Sequence, residues 1–229
     1  MDAEITRLKR HRSSAAFRWA QGSMLPAIII AALCAGPDRA GAMERGARGD
    51  VQAKLGYCMD CHGLSAEGYH GYYPIPRLAG QQPEYLENQL RAFAEHRRTN
   101  NIMFNVAHSL SPSMVASLAA HFKGLNPGPI GGGPHDRVGQ GRAIFQDGVP
   151  DSNIAACSAC HGPEATGYGE IPRLAGQLYP YLINKLTNWD KERGQIRSRP
   201  DTSAIMSPIA HSLNRSQIEA VAAYLSYQR

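Results

Sequence analysis

The chain has 229 residues, a length that suits one large domain or two small ones. An apolar fraction of 43% and a charged fraction of 19% are ordinary for a folded protein and exclude an intrinsically disordered chain. The formal net charge of +5 is compatible with a nucleic-acid-binding protein, but its distribution along the chain argues against that class.

The first 42 residues have the order of regions found in a secretory signal peptide. Basic residues crowd positions 7–12, and an apolar run occupies 24–35. Small residues at 40–42 then precede a predicted cleavage site before Met43. The apolar run is 12 residues long, whereas a membrane-spanning helix needs roughly 20. From Met43 onward the chain has 18 Lys and Arg and 16 Asp and Glu, which gives a net charge near +2. The order of the regions in 1–42 predicts an exported, periplasmic protein.

Four of the five cysteines form two copies of the pattern Cys-x-x-Cys-His, and the fifth, Cys34, lies in the signal segment. This pattern is the attachment sequence for c-type haem: its thiols form thioether bonds to the porphyrin, and the adjacent histidine ligates the iron. Two copies in one exported chain predict two covalently bound c haems. The attachment residues are Cys58, Cys61, Cys157 and Cys160, and the iron-ligating histidines are His62 and His161.

Two alternatives exist for each cysteine pair, a disulfide or redox dithiol and a zinc site. A thioredoxin-like dithiol expects a βαβ pattern that this sequence does not show. Zinc needs two further ligands in each half. The repeated His108 and His211 would supply only one each, so haem is the favoured interpretation.

The chain is a tandem duplication. The segment Ile75-Pro-Arg-Leu-Ala-Gly-Gln81 recurs letter for letter at 171–177, with further matches on both sides. Between the copies, 124–136 contains eight Gly and Pro among 13 residues. Such a composition favours neither helix nor strand and predicts a linker. The predicted organisation is a signal peptide at 1–42, a first domain at 46–124, a linker at 125–136 and a second domain at 137–229.

Each half has the pattern of several short helices, without a convincing alternating strand. Amphipathic terminal helices are predicted after Ser111 and after Asn214, where apolar residues recur at helical spacing. Further helices are predicted at 84–96, 179–192, near 50–56 and at 138–146. Domains this small bury a modest core and often depend on a bound group for stability. The predicted fold class is therefore all-α, with two tandem domains that each wrap around one haem.

A methionine that recurs in both halves is the first candidate for the sixth iron ligand. Met103 and Met206 have this property, 41 and 45 residues beyond the histidines of the two haem motifs. Methionine opposite histidine raises the potential of a haem and is common in electron carriers. The alternative is ligation by the repeated His108 and His211, which would give haems of lower potential. Their position just before a terminal helix favours a helix-entry or surface role instead.

The repeated Ile-Pro-Arg-Leu-Ala-Gly-Gln segment is a candidate element of the haem pocket. A backbone carbonyl commonly accepts the Nδ1 hydrogen of the iron-ligating histidine, and proline offers a rigid carbonyl. Arginine can pair with haem propionates through its planar, permanently charged group, and tyrosine hydroxyls can bond the same carboxylates. Ordinary turn and surface roles are the alternative. The candidate residues are Pro76, Arg77, Tyr85, Pro172, Arg173 and Tyr181.

These residues together resemble those of the dihaem cytochromes c of the cytochrome c4 family, periplasmic proteins with two class I cytochrome c domains. The resemblance covers nearly all of the exported chain. It rests on both haem motifs, the repeated segment followed by Tyr-Leu, the late methionines and the terminal helices. It implies axial ligation by His62 with Met103 and by His161 with Met206. It also implies two all-α domains whose haems lie close enough to exchange electrons.

Iron held by both histidine and methionine has no open coordination site, which suits electron transfer better than catalysis. We therefore predict a periplasmic electron carrier, not an enzyme, between redox partners such as a quinol–cytochrome c reductase and a membrane oxidase. The alternative is the electron-accepting subunit of a periplasmic dehydrogenase, for example one that oxidises sulfide or thiosulfate. Peripheral membrane association is compatible with both. Four haem propionates would make the net charge negative, which argues against nucleic-acid binding.

Overall fold

The computed structural model describes residues 38–193 and 202–229, with side chains from residue 48 onward. The predicted signal peptide at 1–42 therefore lies almost entirely outside the described residues. Residues Ala42–Arg229 form one compact unit. Across the described residues the chain is helical, with isolated β-bridges and no strand, so the all-α prediction is confirmed. No helix within this part of the chain combines the length and the apolar character needed to cross a membrane.

Four helices build the first half of the protein, which we define as residues 46–124. They are α1 (Asp38–His62), α2 (Pro83–Ala94), α3 (Asn101–His108) and α4 (Pro112–Gly124). The helix predicted near 50–56 is longer than expected, because the chain first turns left-handed at Gly63, where φ is +89°. Ser111 caps α4 by accepting the backbone N–H of Met114. The first haem motif is thus the C-terminal end of one continuous helix.

The second half, residues 137–229, repeats this layout with more interruptions. Its helices are α5 (Val138–Asp147), α6 (Ser158–His161), α7 (Tyr179–Thr187), α8 (Trp189–Glu192), α9 (Met206–Ser212) and α10 (Arg215–Tyr227). The single helix predicted at 179–192 is divided at Asn188, whose side chain donates to the carbonyl of Asn184. The predicted terminal helix is confirmed as α10, and a capping box between Asn214 and Gln217 begins it.

Apart from the four-residue α6, two helices were not predicted, α3 in the first half and α9 in the second. They contain eight and seven residues, too few to display an apolar period in the sequence. Each carries one of the late methionines: Met103 lies in α3, and Met206 is the first residue of α9. The side chain of Asn100 accepts the backbone N–H of Met103 and so fixes the start of α3.

Each half has its own hydrophobic core. The first core joins α1, α2 and α4 through Leu55, Leu86, Leu118 and Phe122. The second joins α5, α7 and α10 through Phe145, Leu182, Val221 and Leu225. No cluster of buried apolar residues spans both halves within the described part of the chain. Separate cores are typical of separate domains.

We predict that Gly141→Ala destabilises the second half. Helices α5 and α10 approach so closely that a methyl group at residue 141 would lie 1.9 Å from the carbonyl oxygen of Ala220. Because this neighbour is backbone, relief requires a helix to shift, and we expect a loss of about 1–3 kcal/mol in the free energy of unfolding. Urea unfolding of the haem-loaded protein measures it. The matched control is Gly139→Ala in the same helix, where a methyl group meets open space. Equal stability of the two variants would contradict the close approach.

The glycine- and proline-rich segment between the halves is packed against both of them. Residues 125–134 contain no helix. The guanidinium of Arg77 donates to the carbonyls of Pro127 and Gly128, at 2.8 and 3.1 Å. The hydroxyl of Tyr227 donates to the carbonyl of Gly133. This segment is therefore anchored to each half by side chains, and the domain boundaries drawn at 124 and 137 remain a prediction.

Candidate haem sites

The four cysteines of the two motifs lie at the ends of helices, and none of these four forms a disulfide. Cys58 and Cys157 are half-buried, and Cys61 and Cys160 are exposed. Burial raises the pKa of Cys58 above its ordinary value and the pKa of Cys157 to about 11. Redox-active dithiols need a depressed pKa, because the thiolate is the nucleophile. Cys58 and Cys157 therefore lack the depressed pKa that an attacking thiol needs.

The histidines of both motifs are buried and held in the same way. His62 is 7% exposed and His161 is 5% exposed. The Nδ1 atom of His62 lies 2.8 Å from the carbonyl oxygen of Pro76, and that of His161 lies 3.0 Å from the carbonyl oxygen of Pro172. Because a carbonyl can only accept, Nδ1 carries the proton in each ring. Burial lowers the pKa of both histidines, and the carbonyl contact opposes this only in part, so the rings are neutral at pH 7.

A neutral imidazole that donates through Nδ1 has its Nε2 lone pair available for iron. The adjacent thiols sit on the same helical turns as these rings. The donor set of each half, two thiols and one oriented imidazole, thus fits covalent attachment of a c haem. Among residues 38–193 and 202–229, no group of three or more His, Cys, Asp and Glu side chains could hold a metal ion.

The repeated segment reaches the histidine because a tight loop folds it back onto the haem motif. In the first half, the N–H of Gly68 bonds the carbonyl of His62, and the N–H groups of Leu78 and Ala79 bond the carbonyl of Ala66. Gly68 adopts φ +96°, and a methyl group there would lie 2.9 Å from the backbone of Arg77. Only glycine satisfies both requirements without strain. The second half repeats this loop with Gly167, Ala165, Leu174 and Ala175.

The late methionines and the late histidines differ in burial. Met103 and Met206 are half-buried, whereas His108 and His211 are exposed. The ring of His108 stacks on Phe104 at 5.4 Å, and His211 pairs with Asp190. An exposed imidazole with another partner suits the surface role expected for these histidines. Assignment of the methionines as axial ligands stays a prediction.

The two arginines of the repeated segment bind backbone carbonyls. Arg77 donates through Nε to Ala79 at 3.0 Å, in addition to its two contacts with the Gly/Pro-rich segment. Arg173 makes the equivalent contact with Ala175, also at 3.0 Å. Burial lowers the pKa of Arg77 to about 10, and the nearby charge of Arg173 acts in the same direction. Much of the donor capacity of Arg77 is therefore already used inside the protein.

The last residue of the repeated segment joins the two halves, a role that the sequence did not reveal. Gln81 accepts the N–H of Arg173 at 2.7 Å and donates to its carbonyl at 3.0 Å. Gln177 accepts the N–H of Arg77 at 2.9 Å and donates to its carbonyl at 3.1 Å. Both glutamines are buried. We call these four hydrogen bonds the glutamine clasp; each half supplies the same surface to the other, as in a two-fold symmetric contact.

A second layer of contact lies beside the clasp. The hydroxyl of Tyr181 accepts a hydrogen bond from Arg98 at 2.9 Å, and that of Tyr85 accepts one from Arg193 at 3.3 Å. Burial alone would raise the pKa of Tyr85, but the charges of Arg193 and Arg98 hold it below its ordinary value. The two tyrosines predicted for the haem pocket thus lie at the contact between the halves. Their binding to haem propionates stays a prediction.

Comparison with known proteins gives consistent matches over most of the chain. The sequence profile of the family described as Cytochrome c matches residues 138–228. Cytochrome c-552 of Acidithiobacillus ferridurans is 38% identical over 74% of this chain and 72% of its own length. A thiosulfate dehydrogenase electron acceptor of Thiomonas intermedia is 35% identical over 75% and 78%. Cytochrome c4 of Thiocapsa roseopersicina is 35% identical over 77% and 89%.

Similarity extends to a solved structure. Cytochrome c4 of Acidithiobacillus ferrooxidans superposes with a TM-score of 0.62 at 38% sequence identity. The match covers 74% of this chain and 98% of that one. Both halves therefore take part in the similarity.

Proposed function

The chain belongs to the cytochrome c4 family and is an electron-carrying dihaem cytochrome, and we propose that it works in the periplasm between two redox proteins. One haem domain is assigned to 46–124 and the other to 137–229, joined through 125–136. The signal-like order of regions in 1–42 supports export. The separate hydrophobic cores of the two halves support the domain assignment.

The observation that carries this proposal is the pair of buried, oriented histidines. His62 and His161 occupy equivalent places, and each has its Nδ1 proton fixed by a proline carbonyl. The remaining Nε2 lone pair is thereby directed as an iron ligand requires. We assign thioether attachment to the cysteine pairs and the opposite axial positions to Met103 and Met206. A c haem in such a site supplies reversible one-electron chemistry at its iron.

The residues of the chain perform three tasks in this function. The histidines stay neutral and orient their ring nitrogens, the cysteines hold the porphyrin covalently, and the two methionines close the last coordination position against substrates. Closed coordination restricts the iron to outer-sphere electron transfer. The contact between the halves holds the two sites at a constant relative position, which favours electron exchange between them.

We predict that the purified exported protein contains two haems per chain. A pyridine haemochrome assay counts them, and a redox titration followed by absorption should resolve two one-electron steps. Both steps should show low-spin spectra of the histidine–methionine type. One haem per chain would contradict the proposed function, since each half was assigned a complete donor set.

A second candidate function is service as the electron acceptor of a dehydrogenase. It is favoured by the 35% identity to a relative named as a thiosulfate dehydrogenase electron acceptor. The two functions differ in the electron donor. Stopped-flow reduction of the oxidised protein by a thiosulfate dehydrogenase with its substrate, compared with reduction by a quinol–cytochrome c reductase, separates them.

A further inference from the structure

The helices that carry the two late methionines are short, so contacts with neighbouring helices decide where each methionine lies. Isolated helices of seven or eight residues are unstable in water. In the protein, α3 packs against α2, and α9 packs against α7 and α8. Met103 is the third residue of α3, and Met206 is the first residue of α9. A shift of either helix would therefore move its methionine.

In the second half, one carboxylate ties α9 to α8. Oδ1 of Asp190 in α8 accepts a hydrogen bond from the hydroxyl of Ser207 at 2.8 Å. Oδ2 of the same carboxylate pairs with Nε2 of His211, about one turn further along α9. The indole N–H of Trp189 also donates to the carbonyl of Ser203 at 3.2 Å, in the single turn that leads into α9. Because the bonded hydroxyl belongs to the residue directly after the late methionine, the carboxylate holds α9 beside the proposed ligand.

In the first half, ring stacking ties α3 to the end of α2. The ring of Phe104, the residue directly after Met103, stacks on His96 with 4.2 Å between ring centroids. His108 stacks on the same phenylalanine ring at 5.4 Å. His96 lies just beyond the end of α2, so the stack joins the two helices.

The two arrangements use equivalent positions of the methionine-bearing helices. Alignment through the late methionines pairs Phe104 with Ser207, and His108 with His211. The residue aligned with Asp190 is Ala94, which has no side-chain oxygen. A carboxylate and a hydroxyl in one half therefore take the place of stacked rings in the other.

We propose that Asp190 is a positioning residue of the second haem site. Through its contacts with Ser207 and His211, it keeps α9 in place and thereby holds Met206 in the axial position. This inference rests on the proposed function, which makes Met206 the sixth ligand. An imidazole nitrogen that bears hydrogen donates to a carboxylate whether the ring is charged or neutral, so the contact does not require a charged histidine. The repeated histidine thus has a role apart from the iron.

The test is displacement of the methionine by imidazole in the oxidised two-haem protein. Imidazole binds only where the methionine has left the iron, so its apparent affinity measures how firmly the helix holds the ligand. In Asp190→Ala, imidazole should bind the second haem roughly three- to tenfold more tightly, the size expected for one exposed ion pair and one hydrogen bond. Ser207→Ala and His211→Ala should each give part of that gain. Without imidazole, all three variants should stay low-spin.

The controls separate the two haems and the two kinds of contact. The weak far-red absorption band of the iron–methionine bond reports both haems, and Met206→Ala, in which only the first haem keeps the band, assigns the two binding steps. Lys191→Ala changes the exposed neighbour of Asp190 in α8 and should leave both affinities unaltered. His211→Gln keeps an N–H donor and should restore most of the unsubstituted affinity. Phe104→Leu removes the ring stack and should raise the affinity at the first haem alone.

The possible outcomes keep the inference apart from the proposed function. Fewer than two haems in the unsubstituted protein, or a second haem that Met206→Ala leaves unchanged, would overturn the proposed ligation and this inference with it. With that ligation intact, an unchanged imidazole affinity in Asp190→Ala would overturn the inference alone. An equal rise at both haems would do the same, because it indicates a general loosening of the protein. If Asp190→Ala fails to mature, the double variant Ser207→Ala with His211→Ala decides, since it removes the same two contacts.

Discussion

Met206→Ala should convert the second haem to the high-spin form while both haems stay covalently attached. The substitution leaves in place the proposed attachment residues, Cys157 and Cys160, and the proposed proximal ligand, His161. If Met206 is the sixth ligand as proposed, its loss leaves that position open, and the potential of that haem falls because methionine ligation raises it. Absorption spectra should show that half of the low-spin signal is lost.

The corresponding substitution in the first half, Met103→Ala, should remove the other half of that signal. The matched control is Met114→Leu, which changes a methionine that packs against the first core and should leave both spectra unaltered. His211→Ala tests the rival ligand. If His211→Ala converts the second haem and Met206→Ala does not, the axial assignment is wrong.

Substitution of either glutamine of the clasp should loosen the contact between the halves. Gln81→Ala leaves the N–H and the carbonyl of Arg173 without their partners. The backbone N–H of Gln82, which donates to Oε1 of Gln81 at 3.0 Å in the unsubstituted protein, also loses its acceptor. Each buried polar group left unsatisfied costs about 1–3 kcal/mol. We therefore expect a clear fall in the urea midpoint of the haem-loaded protein, and Gln177→Ala should have an effect of similar size.

The double variant distinguishes a clasp from two independent contacts. Once one glutamine is lost and the halves separate more easily, loss of the second should cost less, so the two effects should not add. Gln140→Ala, on the exposed side of α5, serves as the control and should change the stability by no more than about 0.5 kcal/mol. Strict additivity of the clasp variants would show that they act separately.

The haem motifs could be predicted from the sequence because their residues lie close together in the chain. Attachment of one haem needs two thiols and a histidine within five residues, so the pattern survives in the sequence whatever the fold does. The long helices could also be predicted, since an apolar period over 10 or more residues is visible without any tertiary information. The short helices α3 and α9 could not, because seven or eight residues carry too little of that period.

The equivalence of the arginines at the contact between the halves could not be predicted by comparing the two copies of the sequence. Alignment of the two copies pairs Arg193 with Arg97, yet the structure gives Arg98 the surroundings of Arg193. His96 adopts a left-handed φ of +57° just after α2. The first half reaches the antiparallel backbone bridge between Arg98 and Arg193 one residue later than the second half. A comparison of matching letters therefore does not pair these two arginines.

The sequence by itself determined the duplication, the all-α class, the haem motifs and the family, because each depends on local spacing or on letters that recur. The tertiary structure alone decided how the repeated segment is used. Its proline carbonyl meets the histidine of its own half, and its glutamine meets the backbone of the other half. The proline contacts join residues 14 and 11 positions apart, and the glutamine contacts join residues 92 and 100 positions apart. Neither spacing is a regular helical or turn spacing, so only folding brings these groups together.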